Sequence, residues 1–174
     1  MTPASMAGSL LRITLGALIV LAGPMANAAR AQDRPRFAVE LSGGWVGFAD
    51  DGIVSEGLVG GSTRWYLLPR IAVGPEVAYL SGNNHSHLIV TGNVTWDLLA
   101  QRAVTPFFVA GGGLFRTRES FVAGTFSSSE GAFTAGGGVK AAVGRNVSVG
   151  LDARIGWETH LRVGGLVEWR LTGR

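Results

Sequence analysis

The sequence contains no cysteine, so no disulfide can staple the fold and no thiolate can act as nucleophile or metal ligand. Charged residues are sparse, at 16 %, and they are dispersed. With no run of Lys and Arg to track a phosphate backbone, the formal charge of +3 does not point to nucleic acid as a partner. The apolar run Ile13 to Gly23 falls well short of the ~20 residues a helix needs to cross a bilayer. Beyond it no apolar stripe at 3.6-residue spacing is sustained, which argues against a helical domain. The sequence also lacks any glycine run ending in the Gly-Lys-Ser/Thr of a phosphate cradle. Gly43-Gly44, Gly60-Gly61, Gly111 to Gly113, Gly136 to Gly138 and Gly164-Gly165 therefore read as bends and close approaches inside strands.

The opening residues stand apart from the rest. Arg12 is the one charge before the run Ile13 to Gly23, Pro24 breaks the run, and Ala26-Asn27-Ala28 or Ala29-Arg30-Ala31 offers a small-x-small cleavage site. This spacing predicts a signal peptide over 1–31 and a single mature domain over 32–174. Cleavage after Ala31 removes Arg12 and Arg30 and lowers the formal charge from +3 to +1. An exported domain without disulfides must be held by hydrogen bonds and packing, which a closed barrel supplies.

What the mature chain does have is alternation. Val147 to Glu158 separates into Val, Val, Leu, Ala, Ile, Trp on one parity and Ser, Gly, Asp, Arg, Gly, Glu on the other. The same pattern recurs eight times, predicting strands at about 36–48, 56–68, 70–81, 87–99, 105–117, 131–143, 146–158 and 162–172. The expected fold is all-β, an eight-stranded antiparallel up-and-down barrel whose apolar parity faces lipid and whose polar parity fills the interior. Leu68 to Arg70, Ala100 to Val104 and Gly144-Arg145 read as tight turns. Asp50 to Ser55, Gly82 to Ser86, Arg118 to Glu130 and Thr159 to Leu161 read as loops at the opposite end, the third being the long one.

Charge decides which parity is inside. The parity opposite the large apolar residues carries Glu40, Arg64, Glu76, Asp97, Lys140, Asp152, Arg154, Glu168 and Arg170, with Arg116 at a strand end. Acids and bases on it are nearly balanced, as buried charges must be. The opposite register would expose Arg154 to acyl chains at roughly 2–4 kcal/mol. All five tryptophans fall on the apolar parity. Trp45 and Trp157, joined by Tyr79, Phe115 and Phe133, lie toward the loop end. Trp65, Trp96 and Trp169, joined by Phe37 and Phe107, lie toward the turn end. Two such belts match the two interfaces of a membrane.

Polar side chains gather on the loop side: His85, Ser86, His87, His160 and Ser127 to Ser129, with Asp51, Glu130 and Glu158 available to orient a histidine. A rim is expected to be polar, and His85 and His87 with His160 make an incomplete metal set. The reading is no catalytic residue, no metal and no cofactor. Phe121 and Phe126 in the long loop are the apolar groups a partner would contact, or else the upper end of the lipid belt.

The phrases Val104 to Leu114 and Tyr66 to Glu76, set in this pattern, resemble the small eight-stranded outer-membrane β-barrel proteins of Gram-negative bacteria, the group that includes the OmpA transmembrane domain, OmpX and the opacity-type surface proteins. The resemblance covers most of the mature chain and rests on pattern and composition, so it speaks to fold more than to function. It implies an outer-membrane location with periplasmic termini, a monomer in contact with lipid and lipopolysaccharide, and handling by the barrel-assembly machinery. Arg162, Gly164, Val167 and Trp169 fit the group's C-terminal assembly signal, whereas Leu171 to Arg174 stands where an aromatic terminus is usual. The implied role is structural or surface-interacting; a lipid A deacylase- or acyltransferase-like enzyme and a narrow pore are the alternatives.

Overall fold

A computed structural model describes residues 36–49, 53–82, 85–99, 102–121 and 124–171. The side chains of 53, 119–121 and 124–126 are not described, and the expected signal peptide lies outside the described residues. Eight strands follow one another: β1 Phe37–Ala49, β2 Ile53–Leu68, β3 Ile71–Ser81, β4 His85–Asp97, β5 Val104–Phe121, β6 Gly124–Ala142, β7 Val147–Gly156 and β8 His160–Leu171. Each pairs antiparallel with the next, and β1 closes on β8 from Phe37↔Leu171 to Phe48↔His160, giving a closed barrel in sequence order. Closure pairs both edges of every strand through the body of the barrel, the requirement for a sheet surrounded by lipid, and leaves unpaired edges only where strands run on at the hairpin rim. The end where β1 begins and β8 finishes is the terminal rim; the opposite end is the hairpin rim.

The distribution of polarity is inverted relative to a water-soluble core. Leu41, Val59, Leu114, Leu151 and Ile155 are exposed on the outside, whereas Glu40, Lys140, Arg154 and Glu168 are almost completely buried inside. Trp45, Trp65, Trp96, Trp157 and Trp169 all point outward. Trp65 stacks obliquely on Phe37 near the terminal rim, with ring centroids 5.6 Å apart, and Trp157 meets Phe133 edge-on at 6.2 Å near the hairpin rim.

Interior-facing glycines are needed where the small barrel curves hardest. A Cβ on Gly74 would strike the Thr63 carbonyl, and one on Gly138 would run into the Leu151 carbonyl and lie 2.9 Å from Cβ of Asp152. Both positions accept glycine because the neighbouring strand's backbone already occupies that space.

Three expectations are corrected. The first concerns β5, whose lipid-facing parity is the reverse of the one the sequence suggested. Phe107 and Phe115, each 1 % exposed, are interior, while Phe108 is 56 % exposed and Arg116 also faces out. β5 is apolar on both parities through its membrane portion, so no charge fixes its register from sequence alone. Phe107 is drawn inward because two cations lie over its ring: the Arg64 guanidinium carbon is 5.4 Å and the Lys140 amine 5.2 Å from the centroid.

The second is the long loop expected over Arg118 to Glu130. Its residues pair from Arg118↔Ser127 to Phe121↔Gly124, so β5 and β6 continue as a hairpin, with β4 still paired to β5 as far as His85↔Glu119. β6 joins β7 only from Thr134↔Gly156 onward. Ser127 to Glu130 are all exposed; a hairpin wet on both faces has loop-like composition while its backbone ladder remains intact. Phe121 and Phe126 are therefore strand residues, although their side chains are not described.

The third is loop asymmetry. The connections at the hairpin rim run to two or three residues, whereas those at the terminal rim run to two, six and four, and His85, Ser86 and His160 belong to strands. The β7–β8 turn holds Glu158 and Thr159 at φ of 58° and 44°, the left-handed pair that suits the twist of a tight hairpin.

Candidate functional site

Most charged side chains of the interior among the described residues come from strand positions whose outward neighbours are apolar, so the pleat itself aims them at the lumen. Toward the terminal rim the charges gather on Glu168. Its Oε2 accepts from Arg64 Nη1 and Lys140 Nζ, each at 2.9 Å, and its Oε1 accepts from Arg170 Nε at 2.8 Å. Arg64 also reaches Glu40 at 2.5 Å, Lys140 reaches Asp97 at 3.1 Å, and the Tyr66 hydroxyl donates to Asp97 at 3.1 Å.

Toward mid-barrel a second group gathers on Glu76, which accepts from Arg154 Nη1 at 2.7 Å, from Asn93 at 2.8 Å and from Arg162. Asp152 pairs with Arg154 at 2.6 Å and lies 3.7 Å from Arg162. Glu40, at 4.0 Å from Arg154, links the two groups. The nine residues read from the sequence are thus brought together. Arg162, which the sequence reading assigned only to the assembly signal, joins them and brings the bases level with the acids. Its signal was present: it shares the parity of Glu168 and Arg170.

Above the charges lies an apolar layer of Val46, Phe48, Leu58, Ala78, Leu80, Ile89 and Phe115. The interior is therefore filled twice over, by an ion-paired network and by packed hydrocarbon. The network is worth little net stability, because desolvation offsets most of the Coulombic gain, but removal of one partner is expensive.

A different chemistry sits at the hairpin rim. β3 ends at Ser81, paired with Gly57, while β2 and β4 continue past it. Glu56 on β2 reaches across the gap, its Oε1 lying 2.5 Å from His85 Nε2 and 3.1 Å from His87 Nε2 on β4. The His87 ring is packed between Phe48 and Phe115, with centroids at 5.2 and 5.0 Å, and its Nδ1 is 3.0 Å from Thr117 Oγ1. Glu56, His85, His87, Phe48 and Thr117 line a cavity of about 570 Å³ together with Val54, Glu158 and Thr159.

Sequence reasoning did not find Glu56, because its proximity to His85 and His87 depends on β3 stopping short. His160, grouped with these histidines from the sequence, is turned away: its Nδ1 lies 2.5 Å from the Trp157 carbonyl. Of the acids offered as orienting groups, Asp51 lies outside the described residues, Glu130 accepts from the Trp157 indole at 3.1 Å, and Glu158 lines the cavity.

Residues 15–166 match the family described as the outer membrane protein beta-barrel domain. No curated protein sequence matches the chain. Among solved structures, Neisserial surface protein A is similar at 12 % identity and a TM-score of 0.69, covering 78 % of this chain and 97 % of its own. Ail, the attachment invasion locus protein of Yersinia pestis, is similar at 12 % identity and a TM-score of 0.57, covering 79 % and 98 %. The outer membrane enzyme PagL is similar at 16 % identity and a TM-score of 0.50, covering 77 % and 99 %. At these identities the likeness is one of fold, and that fold serves surface proteins and an enzyme alike. The closed eight-stranded sheet, its inverted polarity and the match over most of its length together place the chain in the outer membrane protein β-barrel domain family, as a barrel of the outer membrane.

Proposed function

We propose that this barrel has a structural or surface-interaction role, without catalysis and without a conducting pore. The observation that carries the reading is the filled interior: two ion-paired groups centred on Glu168 and Glu76 lie beneath an apolar layer, leaving the rims and the lipid-facing wall as the working surfaces. In this reading the termini lie in the periplasm and the hairpin rim faces outward. The wall contacts membrane lipid and lipopolysaccharide, the β5–β6 hairpin is the surface offered to a partner, and the chain acts as a monomer after insertion by the barrel-assembly machinery.

A second reading, a lipid-modifying hydrolase or acyltransferase, is favoured by one observation: Thr117 Oγ1, the His87 ring and the Glu56 carboxylate stand in hydrogen-bonded sequence, the order in which a hydroxyl nucleophile, base and orienting acid work. Mass spectra of lipid A and phospholipids from cells with and without the protein separate the two. Unchanged spectra are expected; an acyl group lost from lipid A, or one gained by it with loss from phospholipid, that depends on Thr117 would establish the enzyme.

A further inference from the structure

We propose that Glu56, His85 and His87 form a binding site for one divalent late-transition-metal ion, of the Zn²⁺ and Cu²⁺ class, at the hairpin rim. The proposal does not depend on whether the lumen conducts or on how the barrel meets a partner.

The donor set is the first argument. One carboxylate oxygen and two imidazole nitrogens lie within 4.8 Å of one another. Imidazole with carboxylate suits Zn²⁺ and Cu²⁺ rather than Mg²⁺ or Ca²⁺, which prefer all-oxygen shells. A tetrahedral ion with ligand bonds of about 2.1 Å needs donor atoms about 3.4 Å apart. Glu56 Oε1 is 2.5 Å from His85 Nε2 and 3.1 Å from His87 Nε2, so small outward movements of side chains admit the ion.

The second argument is the state of the carboxylate. The Glu56 side chain is 0 % exposed, and among the described residues its ion-pairing partners are the two histidines. Its Oε2 is buried without a hydrogen-bond partner. An acid buried this way costs several kcal/mol unless a cation compensates it; a bound dication does so at the position where the carboxylate points.

The surroundings match what a metal site requires beyond its ligands. With His87 Nδ1–H donating to Thr117, 3.0 Å away, Nε2 presents its lone pair to the ion, the arrangement by which outer groups fix a ligand's tautomer. Phe48 and Phe115 hold the ring in place. The His85 side chain is 29 % exposed and lies at the mouth, giving an entry path. Gly82 leaves it room, since a Cβ there would lie 2.6 Å from Nε2 of His85. Three protein ligands leave a coordination position open toward the cavity.

The test uses full-length mature protein without an affinity tag, folded in detergent micelles, with heat-modifiable gel mobility as the check that each variant is folded. Titration with Zn²⁺ is followed calorimetrically, and Cu²⁺ is followed by electron paramagnetic resonance. Saturable binding of one ion per chain is expected, with nitrogen splittings from two imidazoles. His85→Ala, at the exposed mouth and therefore tolerant of substitution, should weaken Zn²⁺ at least about tenfold and leave splittings from one imidazole. Thr117→Ala should weaken Zn²⁺ about 10–100-fold while both nitrogens remain coupled. His160→Ala should change neither readout. Absence of saturable binding would overturn the site, as would equal affinity in the wild type and His85→Ala, or loss of binding in His160→Ala.

Discussion

The charged chamber toward the terminal rim and the cluster at the hairpin rim both bury carboxylates, yet they solve the problem differently. Glu168 is surrounded by Arg64, Lys140 and Arg170, permanent cations delivered by β2, β6 and β8. Glu56 has two histidines and an unpartnered oxygen. An ion-paired acid surrounded by fixed cations belongs to the scaffold. An acid left facing titratable imidazoles at the edge of a cavity is available for a ligand. Position in the barrel is the reason for the difference: the chamber is crossed by eight paired strands, whereas the rim is built from strands of unequal length, where β3 has already ended.

That contrast can be broken by substitution. Glu168→Gln should have the largest effect, about 3–5 kcal/mol lost in urea unfolding of the detergent-folded barrel, because three cations lose their common partner. Glu56→Gln, measured without metal, should leave stability unchanged or raise it slightly, since it removes a buried charge that no fixed cation compensates while the amide still hydrogen-bonds the imidazoles. Equal losses for the two would erase the distinction. Between them lies Leu151→Arg, which moves a charge to the lipid-facing wall of β7 and should cost roughly 2–4 kcal/mol when unfolding is measured in lipid vesicles. A smaller effect of opposite sign is expected in the β7–β8 turn. Thr159→Gly should stabilise by about 1 kcal/mol, because a β-branched residue held at φ of 44° gives way to one without that penalty.

Legibility from sequence followed the physics of each element. β7 could be read because Asp152 and Arg154 exclude one of its parities from lipid, and β8 because Glu168 and Arg170 do the same. β5 could not, since Val104 to Leu114 offers apolar residues to both sides and the orientation of Phe107 is set by Arg64 and Lys140 from other strands. The hairpin over 118–130 was hidden by composition: serine, glycine and threonine look like a loop until a partner strand is in register. Arg162 was visible in the parity of β8 but was assigned to the assembly signal alone. The rim cluster depends on the relative lengths of β2, β3 and β4, and no local pattern around Glu56, His85 or His87 encodes that comparison.

The defining property of this barrel is an interior that is packed rather than open. Single-channel recording of the purified barrel in a planar lipid bilayer tests this most directly: the wild-type protein is predicted to show no stable conductance steps, while Glu168→Gln admits transient openings as Arg64, Lys140 and Arg170 separate. Reproducible ohmic steps in the wild-type protein would contradict a lumen closed by the Glu168 and Glu76 networks and the apolar layer above them.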